Sequence, residues 1–253
     1  MRVSIITTCY NREQTIRETI ESILAQEYHE IEYIVVDGAS TDGSLQIIEE
    51  YRDHISTIIS ERDSGMYEAI NKGIRASTGD IVGLLHSDDT LYDTTTIGEI
   101  VAHLHASNAD ILYGDGIFVD EHNPTKIIRN WISGIYTRRK VRSGWLPLHP
   151  TLYIRRSCLQ RWGLYDESYT IAADSDLLVR YLHDRDLRVV YLERYIVRMR
   201  MGGVSTTPSK MVAKWREDLR LYSSHGINPY WALWCKVISK IPQYISAKFI
   251  NLN

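Results

Sequence analysis

Acidic residues that close apolar runs are where this chain is best equipped for chemistry. Asp88 and Asp89 follow the run Ile81-Val82-Gly83-Leu84-Leu85 after only His86 and Ser87. Two adjacent acids repel one another unless a cation neutralises them. Carboxylate oxygens with open positions suit Mg²⁺ or Mn²⁺, which can also hold diphosphate oxygens. Helix capping by Asp is the competing reading. Asp37 ends another run, Tyr33-Ile34-Val35-Val36. There a carboxylate can accept from a base N–H, which favours uracil, or can serve its own loop as an Asx-turn acceptor, a role open to Asp42 as well. Asp174 and Asp176 stand in Ala172-Ala173-Asp174-Ser175-Asp176, at a predicted helix start. A part-buried carboxylate has a raised pKa and can take a proton from an attacking hydroxyl; capping is the plainer alternative.

The elements that must position these acids alternate. Apolar strand runs at 3–8, 33–36, 57–59, 81–85 and 110–113 are separated by helical spacing: Ile16, Ile20, Ile23 and Leu24 after a cap at Asn11, then Leu45, Ile48 and Tyr51, then 66–76 and 95–106. Such alternation predicts an α/β fold with a mainly parallel sheet covered by helices on both faces. Ligands in such sheets sit beyond the carboxyl ends of the strands, which selects loops 7–13, 37–43, 61–68 and 86–90. The second half is less regular. A basic loop is expected around Arg138, Arg139, Lys140 and Arg142, a strand at 152–154, a helix from Asp174, a strand at 188–192, a helix at 209–224 and a closing segment 229–250 that Pro242 kinks or divides.

The chain has 253 residues, 44% hydrophobic and 24% charged, an ordinary globular composition with ample length for a core. Cys9, Cys158 and Cys235 stand far apart, which excludes a disulfide framework and any CxxC metal site. The first residues carry one Arg and a very short apolar run, and no stretch reaches the ~18 apolar residues of a spanning helix. A location in the cytoplasm, or peripheral on the cytosolic face of a membrane, is expected. The net charge of −3 hides a polarity. Residues 1–125 hold 7 Lys and Arg against 23 Asp and Glu, a balance of −16, and the remainder carries +13. An acidic half can hold a cation and a basic half can draw phosphates. Nucleic acid is not an expected partner.

GxGxxG and GxxxxGK[ST] are both missing, so a dinucleotide oxidoreductase and a P-loop NTPase are excluded. The segment Arg198-Met199-Arg200-Met201-Gly202-Gly203 joins two cations to a glycine pair and reads as a lid over a diphosphate or as a plain turn. His149 faces donor or acceptor, or is a satisfied core histidine. The tail from Tyr230 to Ile250 is rich in Trp, Tyr and Ile, with three lysines and no acid. It suits the headgroup boundary of an anionic leaflet, or packing on protein.

Thr8-Cys9-Tyr10-Asn11, Val36-Asp37-Gly38 through Gly43, Glu61-Arg62-Asp63-Ser64-Gly65 through Gly73, and Leu85-His86-Ser87-Asp88-Asp89 resemble family 2 glycosyltransferases of the GT-A fold. His149-Pro150-Thr151 and Gly163 through Leu178 resemble the acceptor half of bacterial members that build surface polysaccharides, the colanic-acid type among them. The resemblance covers roughly 1–205 and implies a catalytic domain there, with nucleotide-sugar half 1–115 and acceptor half 116–205; residues 206–253 read from their own composition as a C-terminal helical segment that associates with a membrane or packs on protein. It implies that Thr8 and Tyr10 line the base pocket and that Asp37 binds uracil. Asp63, Gly65, Asn71, Lys72, His86 and Asp88 then lie along the donor. Asp88, with Asp89 beside it, would hold Mn²⁺ or Mg²⁺, and Asp174 would be the base of an inverting transfer. His149, Asp176, Arg200, Gly202 and Gly203 fall to the acceptor side or lid.

Three positions depart from the family pattern. His86 stands for the first Asp of DxD, Ala173 for the Glu of the Glu-Asp pair, and Ile70 for a nucleotide-contacting Arg. The donor implied is a UDP-sugar and the acceptor a glycan on a polyprenyl carrier. A sugar-nucleotide-forming nucleotidyltransferase and a non-catalytic scaffold are the rival readings; the former would want a Gly-rich loop after the first strand, where Cys9-Tyr10-Asn11-Arg12-Glu13 has none.

Overall fold

A computed structural model describes residues 1–201 and 208–249. Strands β1 (Val3–Cys9), β2 (Ile31–Asp37), β3 (Thr57–Ser60) and β4 (Ile81–Leu84) pair in parallel in the order β3-β2-β1-β4. Helices α1 (Ile16–Leu24), α2 (Ser44–Glu50) and α3 (Met66–Ala76) make the crossovers. Apolar residues fill both faces of β1 and β2 because both faces are covered, the reason these strands read as continuous runs. The register aligns Cys9 with Asp37, Asp37 with Ser60, and Ile6 with Leu84. The loops after all four strands therefore open side by side. Gly73 lets α3 lie close on the sheet: a methyl group there would meet Ile6 Cγ2 at 2.4 Å.

The expected parallel sheet extends through these four strands and then becomes mixed. Strand β8 (Tyr153–Arg155) runs antiparallel to β4 and to β6 (Ile111–Val119), and β9 (Val189–Arg200) runs parallel to β6. Strands β5 (Thr90–Leu91) and β7 (Ile127–Trp131) add antiparallel edges to β9 and β6. One core, with Ile6, Ile70, Tyr113, Leu177 and Tyr181, lies on the α3 face, which also takes α6 (Arg156–Trp162) and α7 (Ala173–Leu182). The other, with Ile5, Ile20, Tyr33, Ile97 and Ile100, lies beneath α1 and α4 (Thr96–Ser107).

Helices α8 (Pro208–Ser224), α9 (Pro229–Ile238) and α10 (Ile241–Ser246) follow, α8 against α7 and α9, and α10 against β7. Pro242 divides the closing segment as expected, sitting in the first turn of α10 where its missing N–H leaves no bond unmade. Two expectations are corrected. Asn11 does not cap α1, which starts at Ile16; Asn11 takes a left-handed φ of 53° and its side chain accepts from Thr41 N–H at 2.8 Å. The basic stretch expected as a loop forms the short helix α5 (Arg138–Arg142), because the Thr137 hydroxyl caps it at Lys140 N–H.

Candidate active site

Loops 10–13 and 38–44 are tied together. Glu13 Oε2 accepts from Gly43 N–H at 2.8 Å, Ser44 Oγ from Arg12 N–H at 2.6 Å, and Ser40 Oγ from Asn11 N–H at 2.9 Å. A methyl group at Gly38 would touch Asp63 Oδ2 at 3.1 Å and Tyr10 Cδ2 at 3.5 Å, so glycine there lets three loops converge. Tyr10 is 60% exposed and leaves a ring face open beside them, with Thr8 half-buried next to it. Gly65 N–H donates to Asp63 Oδ1 at 3.2 Å, and burial raises the Asp63 carboxyl above its usual range. Cys9 beneath is no nucleophile: burial, with the Asp37 charge adding, pushes its thiol up to about 11.

Asp37, expected at the base, bonds to its own loop and to β3. It is fully buried, and its oxygens accept from Ser40 N–H, the Ser40 hydroxyl and the Ser60 hydroxyl, the last at 2.7 Å. Its carboxylate thereby fixes loop 38–44 against β3. Asn71 and Lys72, expected along the donor, also bond within the protein. Asn71, 1% exposed, clamps the 165–167 loop: its Nδ2 donates to Tyr165 O at 2.9 Å and Glu167 Oε1 at 2.7 Å, and its Oδ1 accepts from Tyr165 N–H at 3.1 Å. Lys72 straps the 61–68 loop, with Nζ 3.0 Å from Glu61, 3.2 Å from Glu68 and 3.2 Å from Arg62 O. Both side chains build loops that the donor side needs.

Helix α1 holds the loop after β4 by two hydroxyls. Thr15 donates to Ser87 O and Thr19 to Asp89 O, each at 2.8 Å. In this loop Asp88 keeps about a quarter of its side chain exposed, with Arg12 Nε 3.9 Å away. Asp89 does not join it on the open face. Asp89 is 2% exposed, its Oδ1 accepts from Arg200 N–H at 3.2 Å, and its buried Oδ2 has no partner among the described residues. Burial, with the Asp88 charge adding, raises its pKa well above the usual carboxylate range. Asp89 thus points inward and ties the loop after β4 to β9, so of the expected pair of ligands only Asp88 keeps an exposed carboxylate. Among the described residues no three His, Cys, Asp or Glu side chains gather into a metal cage. Mg²⁺ and Mn²⁺ need none, since one or two carboxylates plus substrate phosphates suffice. Asp88 fits that donor set.

Asp174 lies in the first turn of α7, partly exposed, accepting from Ser175 N–H at 2.7 Å. Its charge and that of Asp88 both act on His86, raising a pKa that burial lowers. The loop of Asp88 and the turn of Asp174, some 86 positions apart in sequence, are joined by a chain of side-chain contacts that starts at His86. His86 stacks at 6.2 Å on His149, whose Nε2 lies 2.7 Å from the Tyr165 hydroxyl. Tyr165 stacks at 5.9 Å on Tyr67, and the Tyr67 hydroxyl donates to Ile171 O at 2.7 Å and lies 3.4 Å from Asp174 Oδ1. The site thus has a neutral aromatic and imidazole wall between its carboxylates.

Burial lowers the His149 pKa from 6.5 to about 4, against the pull of Asp174. The unfolded chain protonates this imidazole below pH 6.5 and the folded chain only near 4, so stability falls as pH drops through that window. Of the shift, about 2 kcal/mol should appear between pH 7 and 5. Urea midpoints at the two pH values, compared with His149→Gln, measure it; an unchanged pH slope in the variant would refute this account.

Sequence reading missed Glu217. From α8 its carboxylate accepts three consecutive N–H groups, Thr170 and Ile171 at 2.9 Å and Ala172 at 2.8 Å, immediately before the turn bearing Asp174. No local motif announces this contact, which spans 45 residues. Charge-assisted bonds of this kind are worth ~1.5–3 kcal/mol each. Glu217→Ala should lower kcat about tenfold or more by loosening the base, leave the donor KM unchanged, and lower Tm by several degrees. Steady-state kinetics and a melt check this. Asp176 and Arg200 are corrected as acceptor or lid groups. Asp176, 4% exposed, pairs with Arg180 at 2.7 Å and His225 at 3.5 Å, joining α7 to the end of α8. Arg200 pairs with Glu18 of α1. Gly202 and Gly203 lie outside the described residues.

The model of a family described as "Glycosyl transferase family 2" matches residues 4–162. A PGL/p-HBAD biosynthesis glycosyltransferase of Mycobacterium bovis is 26% identical over 209 residues, covering 81% of this chain and 79% of that one. An uncharacterized glycosyltransferase of Mycobacterium tuberculosis is 30% identical over 181 residues, with 70% and 68% covered. Among solved structures, S. aureus TarS 1-349 in complex with UDP-GlcNAc superposes with a TM-score of 0.68 at 19% identity, over 98% of this chain and 73% of that one. In another TarS 1-349 structure this chain spans 60% of the TarS length, with a TM-score of 0.64 and 22% identity over 79% of this chain. The mannosyltransferase PcManGT of Pyrobaculum calidifontis, in complex with GDP-Man and Mn²⁺, gives a TM-score of 0.59 at 16% identity over 97% of this chain and 73% of its own. These likenesses show the GT-A glycosyltransferase fold.

Proposed function

Because this chain belongs to glycosyl transferase family 2, whose model covers residues 4–162, we propose that it transfers a sugar from a UDP-sugar to a hydroxyl of a glycan or lipid-linked saccharide, inverting the anomeric centre, in the building of a cell-surface polysaccharide. The observation that carries this reading is the contact chain His86–His149–Tyr165–Tyr67–Asp174, which links the loop of Asp88 to the turn of Asp174, while Arg12 beside Asp88 ties that loop to the cluster of Tyr10, Gly38 and Asp63. The UDP-GlcNAc held by TarS supports the choice of donor.

The chain's own groups divide the work. Tyr10 offers an open ring for a base, and the crosslinked loops around Gly38 and Asp63 close about the nucleoside. Asp88 would hold a divalent ion, which when bound offsets charge developing on the departing diphosphate. Asp174 accepts the proton of the attacking hydroxyl. The uncharged His86, His149, Tyr165 and Tyr67 exclude competing cations from the acid, and Glu217 and Asn71 hold the flanking backbone. Residues 1–115 serve the donor and 116–205 the acceptor, within the cytoplasm or on the cytosolic face of a membrane.

Incubation with UDP-sugars and Mn²⁺ tests the reading directly. UDP should be released slowly by hydrolysis and faster with acceptor. Release of diphosphate from UTP, with none of UDP from any UDP-sugar, would instead establish nucleotidyl transfer.

A further inference from the structure

The segment 229–249 has a row of large apolar side chains that the described residues leave largely exposed. Trp231, Trp234, Ile238, Ile241, Ile245 and Phe249 recur every three or four residues, and their exposures run from 42% to 83%. The spacing of three or four is kept across the break between α9 and α10 at Ser239 and Lys240. Trp231 and Trp234 stack at 5.3 Å, so the aromatic pair is preorganised and not splayed. A soluble surface seldom carries so continuous a patch without a use for it.

Charge decides what the patch meets. Residues 219–253 contain Arg220, Lys236, Lys240 and Lys248 and no acid. Lys236 is already paired, with Nζ 3.0 Å from Asp218, but Lys248 is exposed and unpaired among the described residues. Lys240 is pulled down to about 8 by burial and by its cationic neighbours Lys214, Arg129 and Lys236, with only Asp218 opposing. That crowding is relieved by an anionic surface and aggravated by a second copy of the same cationic face. Trp and Ile with flanking lysines and no acids suit the depth at which headgroups give way to acyl chains. Among the described residues no helix is long and apolar enough to cross a membrane, so the face would lie in the interface.

We infer that residues 229–249 form a docking face for an anionic lipid bilayer. The same helices lead to the catalytic turn: α9 packs on α8, which bears Glu217, and the Asp174 charge acts on Lys236 and Tyr222 beneath the face. Docking therefore brings the acceptor side of the cleft to the bilayer. That last step deepens the transferase reading and rests on it; bilayer binding itself does not.

The test is cosedimentation of the full chain with vesicles of phosphatidylcholine alone or mixed with phosphatidylglycerol. The apparent affinity should rise about tenfold or more with the anionic lipid, since each basic group near the surface contributes, and should fall in high salt. Trp231→Ser/Trp234→Ser/Phe249→Ser should abolish pelleting with both vesicle types. Lys240→Gln/Lys248→Gln should remove only the preference for the anionic one. These side chains are exposed or at the edge of the fold, and unchanged melting would show that both variants fold. Pelleting that is the same for all three proteins would overturn the inference. So would absent pelleting together with a dimer, seen by sedimentation velocity, that the Trp and Phe substitutions dissolve; the face would then belong to a second copy. UDP release from UDP-sugar, measured without vesicles, reports the transferase reading separately.

Discussion

Asp174→Asn should lower the rate of sugar transfer by ~10²–10⁴-fold, the range a positioned general base contributes, and leave donor affinity within about twofold. The amide is isosteric, and its oxygen still accepts from Ser175 N–H and keeps its place near the Tyr67 hydroxyl. Only the capacity to take a proton is lost. Kinetics with a saturating acceptor, paired with calorimetry of UDP binding, separates the two quantities. A variant that binds UDP poorly and transfers slowly in equal measure would mean that the residue shapes the donor pocket, and the assignment of Asp174 as base would fail. Asp176→Asn makes the contrast. Asp176 is turned toward Arg180 and His225, so its loss should appear in Tm and only weakly in turnover.

The second large effect belongs to Asp88. Asp88→Ala should weaken UDP binding in Mn²⁺ about 10²-fold, near 2.7 kcal/mol, and should have little effect when the ion is removed by EDTA. The asymmetry is the informative part. A carboxylate acting through a divalent ion matters only when the ion is present, whereas one that shapes the loop would matter in both conditions. Equal affinities of the parent and variant in Mn²⁺ would remove Asp88 from the donor side. Asp89→Asn provides the counterpart. Its carboxyl is buried and its pKa raised by that burial, so the amide should preserve binding and, with no ionisation left to oppose burial, raise stability as pH rises above the ordinary carboxylate pKa.

The donor half was legible because its signals are local. Apolar runs buried on both faces announce strands, and register then sets Cys9 level with Asp37 and Leu84 level with Ile6, whatever the loops contain. Helix α3 was expected at 66–76 and lies at Met66–Ala76, since Gly65 before it and the Tyr67, Ile70 and Ile74 face both mark it. The acceptor half was less legible. Strand β9 is twelve residues long, yet eight of them are only partly covered, so its apolar period is broken beyond Leu192. Which acids face the cleft could not be read at all from spacing. Asp88 and Asp89 are adjacent, and the turn held by Thr15 and Thr19 sends one outward and the other inward. Asn71 and Lys72 sit where ligand contacts were expected, but their polar atoms find loop partners first. Glu217 acts on backbone N–H groups, which carry no sequence signature.

The clasp of Glu217 on residues 170–172 has a consequence for how the protein is made. A chain emerging from the ribosome completes β1 to β4, and with them the nucleotide pocket, long before Glu217 is synthesised. Until α8 arrives, the turn bearing the base has no anchor at its entry. In a half-made or C-terminally clipped molecule the donor-side loops would therefore precede the turn of Asp174 in acquiring their final hydrogen bonds, because that turn waits on a residue near the end of the chain.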